Sequence, residues 1–205
     1  MRKLTETLLI ALLVMLLATA CSDDSSSDSG MTESEYELVK EILALKDDVY
    51  NWAQDYAAWS DDDFAFIDSD GDGEYDEGES IIYTYTELEY DDENTEGWIK
   101  TYDLTFEDGN AVNGSYMRTI VYDGWDDYWT EDESADSGYL ADTYTQNRTY
   151  IYDFSATIDG EEHTLALTLY ESYTVSHSGT TSHEYTDSKT VLDGVSIEGY
   201  EDYLN

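Results

Sequence analysis

The strongest constraint on the fold is a change of period along the chain. From residue 81 onward, apolar and polar residues alternate one by one in stretch after stretch. In residues 98–106, WIKTYDLTF, Trp98, Tyr102, Leu104 and Phe106 share one face with Lys100, while Thr101, Asp103 and Thr105 share the other. Residues 144–154 place Tyr144, Tyr150, Tyr152 and Phe154 together, and residues 163–175 do the same with Leu165, Leu167, Leu169, Tyr173 and Val175. Successive side chains of a strand point to opposite sides of a sheet, so this pattern predicts half-buried strands, apolar on one side and wet on the other. The β-branched and aromatic run 81–90, IIYTYTELEY, joins them. Turn sequences separate the strands: EDGN at 107–110, VNGS at 112–115, IDGEE at 158–162 and SHSGTTSH at 176–183.

Before residue 60 the period is close to 3.6. Thr32 stands three residues before Glu35, a capping-box pattern. Tyr36, Val39, Ile42, Leu43, Tyr50, Ala53, Tyr56 and Ala57 then form a stripe, widened by Leu45, Val49, Trp52 and Trp59. The expectation is one amphipathic helix over 32–59. After it come seven or eight antiparallel strands in an up-and-down meander, a mainly β (α+β) fold that closes into a barrel or curls into a half-barrel with the helix on its open side.

Charge sets the second constraint. The 205 residues carry 49 acidic and 8 basic side chains, a formal net charge of −41. Such charge often means disorder, but 20 Tyr, 5 Trp and 4 Phe supply the apolar surface that disordered chains lack. The field repels phosphate backbones and excludes a nucleic-acid partner. It suits a salty medium, where screening reduces self-repulsion. With one cysteine no intrachain disulfide staples the fold, and with no proline the turns fall to Gly, Asn and Asp.

The N-terminus reads as an address. Arg2 and Lys3 precede an unbroken apolar run from Leu8 to Ala18, too short to span a bilayer comfortably and suited to a signal peptide. It ends in LATAC, Leu17 to Cys21, which resembles the lipobox of bacterial lipoproteins, with Ala18 where that family more often has Leu. The resemblance implies cleavage after residue 20 and a lipid on Cys21, the link to a membrane. The alternative is an ordinary secreted protein with a stray thiol. Removing residues 1–20 takes away Arg2, Lys3 and Glu6, leaving 48 acidic and 6 basic side chains and a net charge of −42. The domain layout is then a signal peptide (1–20), a Ser- and Asp-rich tether (21–31) and one β-rich domain with its helix (32–205). The expected location is the cell envelope. Ser22 lacks the acidic residue that the family uses for inner-membrane retention, which implies the outer membrane where the cell has one.

One stretch of the domain is specific. DSDGDGEYDEGE, residues 68–79, places Asp68, Asp70, Asp72, Asp76 and Glu79 at the first, third, fifth, ninth and twelfth positions of a twelve-residue loop. Gly73 stands at the sixth position and Glu74 at the seventh, where a backbone carbonyl is needed. This resembles the calcium loop of the EF-hand family, whose donors and turn glycine fall at those positions. The composition also allows a solvated acidic turn. Carboxylate bias does not place Gly73 at the bend, however, and five carboxylates this close repel unless a divalent cation lies among them. The flanks, FAFI (64–67) and residues 80–90, look like strands rather than helices. The expectation is therefore a structural calcium clip in a β-hairpin, without the opening of a sensor.

Other chemistry is weakly specified. His177 and His183, with Glu184, flank a turn in a way that offers a zinc or copper site or two ordinary loop histidines, and His163 reads as a surface residue. There is no G-x-S-x-G nucleophile motif, P-loop or dinucleotide fingerprint. Trp125 and Trp129, in the long acidic segment 123–138, are the candidate anchors for a protein, glycan or apolar ligand. The chain is expected to be a lipid-anchored, calcium-binding protein with a non-enzymatic binding or structural role. A lipocalin-like or half-barrel carrier of a hydrophobic ligand is the first alternative, and a carboxylate-dependent hydrolase the second.

Overall fold

A computed structural model describes residues 30–124, 143–176 and 179–204. The signal segment, Cys21, most of the tether, Trp125, Trp129 and His177 lie outside the described residues. The element order is helix α1 (Glu33–Tyr56), then strands β1 (Ala58–Trp59), β2 (Phe64–Phe66), β3 (Ile81–Glu87), β4 (Thr95–Thr105), β5 (Ala111–Asp123), β6 (Thr143–Ile158), β7 (Glu161–Ser176), β8 (Gly179–Leu192) and β9 (Val195–Ile197), and a 3-10 turn at Glu201–Tyr203. The nine strands form one antiparallel sheet in chain order, and the sheet does not close. The expected meander is present with more strands than expected, as an open sheet rather than a barrel. The additions are the two-residue β1 and the three-residue β9, both too short to show a period in sequence.

Helix α1 begins as its sequence predicts. The Thr32 side chain accepts from the Glu35 amide, and the Glu35 carboxylate accepts from the Thr32 amide at 2.8 Å. It ends three residues early. Ala57 turns to an extended conformation, and the Trp59 indole N–H donates back at 3.1 Å to the Ala53 carbonyl, which also accepts from the Ala57 amide at 3.3 Å. Trp59 therefore starts the sheet instead of continuing the stripe. Val39, Ile42, Leu45, Val49 and Ala53 are buried, whereas Tyr56 is 74% exposed. A helix of 24 residues is ~36 Å long, enough to cross the strands from β3 to β9 at a spacing of ~4.8 Å. It does cross: Tyr36 stacks on Tyr203 at 4.5 Å near the β9 end, and Tyr50 and Trp59 close on Tyr83 of β3 at the other.

The strand register explains the core. Tyr102 lies opposite Gly114, Gly114 opposite Phe154, Phe154 opposite Leu165, and Leu165 opposite Leu192. This is one continuous inward row across five strands, buried with Val39, Ile42 and Val49 in a single cluster. The segment VNGS, expected as a turn, lies inside β5 instead. Gly114 has φ +141°, and a Cβ there would overlap the Asp153 carbonyl and lie 2.9 Å from the Phe154 ring. The glycine lets two strands and a phenyl ring approach closely, which is a packing role and not a turn signal. Asp159 and Gly160, by contrast, form the tight hairpin that the sequence predicts, both with positive φ.

Burial holds the inward tyrosines neutral. Desolvation raises Tyr83, Tyr102 and Tyr116 well above the usual phenol range, Tyr152 likewise, and Tyr200 to about 12. A raised folded pKa contributes stability below the unfolded value near 10, and that contribution falls away as pH rises past it. Exposed tyrosines such as Tyr56 should ionise first, and the buried share of the phenolate absorbance at 295 nm should rise in one steep step between about pH 10 and 12, together with loss of the circular-dichroism signal. Ionisation of all the tyrosines near pH 10 with the signal intact would contradict this burial. Gly114→Ala should cost about 2 kcal/mol or more and lower Tm by roughly 4–8 °C in a thermal melt.

Candidate functional site

The acidic loop joins β2 to β3, so it sits in a β-hairpin as its flanks predict. The Ile67 amide donates to the Ser80 carbonyl at 2.9 Å, closing its base. Inside, the chain curls around its own carboxylates. Asp68 accepts from the Gly71 amide through Oδ1 at 2.7 Å and from the Gly73 amide through Oδ2 at 3.0 Å. Asp70 accepts from the Asp72 amide, and Asp72 from the Glu74 amide. Glu79 ties the two ends together: Oε1 accepts from the Ser69 amide at 2.6 Å and Oε2 from the Asp76 amide at 3.0 Å. Gly71 and Gly73 have φ near +80°, a region that disfavours side-chain-bearing residues.

This curl gathers all five predicted carboxylates. Asp68, Asp70 and Glu79 offer oxygens within 4.8 Å of one another, and so do Asp70, Asp72 and Asp76. Asp70 belongs to both groups. The largest single influence on it, the Asp72 amide, lowers its pKa, but the neighbouring carboxylates together reverse this and leave it raised. Glu74 contributes its amide to Asp72, while its expected donor is its backbone oxygen. An oxygen-rich, largely exposed set of this kind suits calcium, which accepts six to eight oxygen ligands.

One residue of the loop has a role the sequence left open. Tyr75 stands where paired loops carry an aliphatic residue. Its ring packs edge-on against Phe64 at 5.0 Å and Phe66 at 5.4 Å, both on β2. A single loop without a partner loop is thus seated on its own hairpin.

The second cluster lies on the inner face of the long strands, beyond the helix. Glu171 is 7% exposed and accepts from the Tyr150 hydroxyl at 2.7 Å and the Tyr173 hydroxyl at 3.0 Å. His183, expected beside a turn with Glu184, belongs instead to β8. Its ring stacks on Tyr173 at 4.2 Å, and its Nε2 lies 3.6 Å from Glu171, so the pairing with Glu184 is replaced by one with Glu171. A register shift in β8 causes this. Ser188 and Thr190 are buried at even positions, but Tyr170 pairs with Asp187 and Glu171 with Tyr185, so Thr186 is the extra residue. One extra residue exchanges the two faces of a strand, turning Tyr185 and His183 inward. His163 is not free on the surface: its Nδ1 lies 2.9 Å from Asp193, and this hydrogen bond is the main cause of a lowered Asp193 pKa.

The sequence missed Glu171 because it counted an acidic residue among many. Its signal was an inward register position between Leu169 and Tyr173. Among the described residues, a notch of about 280 Å³ beside the helix is lined by a mixed set of polar and apolar side chains, among them Glu41, Leu45, Asp48, Asn110, Ile158 and Asp159. No described helix is long and apolar enough to cross a membrane. The chain matches no family model, no curated protein and no solved structure.

The Tyr75 contacts carry a prediction. Tyr75→Ala should lose about 1–2 kcal/mol and lower Tm by roughly 2–6 °C. Tyr56→Ala, at an exposed helix position, should stay within about 0.5 kcal/mol in the same melt.

Proposed function

We propose that the chain is a lipid-anchored, calcium-binding protein of the cell envelope with a non-enzymatic binding role. The observation that carries the calcium part is the convergence of the five template carboxylates in a loop already curled by its own amides. The repulsion among these groups is what a divalent cation would relieve. The ion would act as a clip: it would fix the β2–β3 hairpin, and with it the edge of the sheet against which Trp59 and the helix end pack. A helix pair that opens on binding has no counterpart here, so the role is structural rather than sensory.

The anchoring part rests on Cys21 and its lipobox-like context. It gains an orientation from the fold. The Met31 amide donates to the Glu198 carbonyl at 2.6 Å, and the Tyr203 hydroxyl donates to the Met31 carbonyl at 2.7 Å. The chain thus enters the domain clamped at the β9 end. The acidic loop follows β2, at the sheet edge where the helix ends rather than where the chain enters the domain.

Calorimetry and melting test the calcium reading. With Kd on the order of 10⁻⁴–10⁻³ M, 10 mM calcium should stabilise the fold by about 1.4–2.7 kcal/mol. That corresponds to a Tm raised by roughly 3–10 °C over the value in EDTA. Glu79→Gln should remove most of the rise. Protons compete for the same oxygens, so affinity should increase with pH through the carboxylate range and level off near neutrality. No heat of binding and no change in Tm at 10 mM calcium would overturn the reading.

A further inference from the structure

From residue 21 on, the chain has six cationic side chains: Lys40, Lys46, Lys100, Arg118, Arg148 and Lys189. Lys40 and Lys189 are exposed, the first on the helix and the second on β8. The other four converge on the inner face of the sheet. Lys100 on β4 lies opposite Tyr116 on β5, two residues from Arg118. Arg118 lies opposite Tyr150 on β6, two residues from Arg148. Diagonal neighbours on one face of an antiparallel pair are roughly 7–8 Å apart, so the three form a diagonal rail across three strands. Lys46 reaches down from the helix to within 5.2 Å of the Tyr116 ring.

Aromatic rings line this rail. Lys100 lies 4.8 Å from the Trp98 ring and Arg118 5.1 Å from the same ring, while Arg148 lies 4.2 Å from Tyr173. The carboxylates nearby compensate only in part. Asp47 pairs with Lys46 at 2.6 Å, Glu96 reaches Arg118 at 3.8 Å, and Glu171, opposite Arg148 on the next strand, also accepts from two tyrosine hydroxyls. Lys100 forms no ion pair among the described residues, and the buried Nε atoms of Arg118 and Arg148 have no acceptor there. Burial lowers the Lys100 pKa, and the nearby Lys46 and Arg118 add to this against an opposing pull from Asp47. Four of the six cations found from residue 21 on thus share one face of the sheet, with three carboxylates, Asp47, Glu96 and Glu171, beside them.

We propose that this rail recognises a small organic anion, a carboxylate on a flat apolar body. The guanidinium groups of Arg118 and Arg148, with the Lys100 ammonium, take the anionic group, and the surrounding rings take the body. The ligand is compact for an electrostatic reason. A polyanion would extend its remaining charges over the acidic outer surface and be repelled, whereas an anion confined to the rail meets the local excess of positive charge. This deepens the binding role proposed above and is independent of the calcium loop and the anchor.

The test is a fluorescence titration of the protein with 2-naphthoate, run in calcium and again in EDTA so that loss of the calcium clip is read separately. Neutral 2-naphthalenemethanol and cationic 2-naphthylmethylamine serve as comparisons. The naphthoate should bind about tenfold or more tighter than either, against the direction that the net charge alone dictates. Arg118→Gln and Arg148→Gln should each weaken it about tenfold or more, and Lys40→Gln should leave it unchanged. If an arginine variant fails to fold, Lys100→Gln takes its place, and the anion-to-cation ratio of the unaltered protein stands without any variant. Equal or tighter binding of the cationic probe overturns the proposal. So does naphthoate binding that survives Arg118→Gln and Arg148→Gln in folded protein. Stronger binding of polygalacturonate than of naphthoate overturns the compact ligand.

Discussion

The contact of one helix with one sheet face carries the structure. An open antiparallel sheet with an apolar side is unstable until something covers that side. Here the only long covering element among the described residues is α1, which sets Val39, Ile42, Val49 and Ala53 against Tyr83, Tyr102, Phe154 and Leu167. No disulfide assists, because Cys21 is the only cysteine. The helix ends are fastened by different means. A capping box and the Tyr36–Tyr203 stack hold its start, and the Trp59 indole bond to Ala53 holds its finish. The length of the helix lets it cross the strands, so a single element covers the middle of the face and leaves the far ends of β4 to β8 uncovered by it.

Charge then divides the molecule. Most acidic side chains occupy outward strand positions, turns and the helix surface, where water and salt screen them, while Glu96 and Glu171 lie on the inner face. The loop 68–79 is the exception in density, because its amides bind its own carboxylates and pull them together rather than letting them spread. The inner face is the exception in sign. There the few cations lie over Trp98, Tyr116 and Tyr173, where the negative faces of the rings offset part of their repulsion. The two exceptions lie in different places: one on the β2–β3 hairpin, the other on the long central strands.

Much of this was legible in the alternation itself. The inward set of β4, β6 and β7, with Trp98, Lys100, Tyr152, Phe154 and Leu167, follows from a period of two, and the capping box at Thr32 from three residues. The loop donors were legible because the template fixes their spacing. Other features carried no local signal. Gly114 looked like a turn because its function, room for Phe154, depends on the next strand. Tyr56 fitted the helical stripe but faces solvent, because the helix axis is set by what lies beneath it. The inward turn of His183 depends on one extra residue at Thr186, and a strand pattern read in isolation cannot reveal where its partner skips.

The sequence by itself determined the kinds of element and the composition of the loop, since period and template spacing are properties of neighbouring residues. Tertiary structure alone decided which distant residues meet. The diagonal of Lys100, Arg118 and Arg148 exists only because the register of β4, β5 and β6 aligns three separate positions. Glu171 becomes a buried acceptor only when Tyr150 and Tyr173 close over it. Register is a relation between strands, fixed by hydrogen-bonded pairing and by the burial of one face. It is therefore absent from any single segment and appears only when the sheet is assembled.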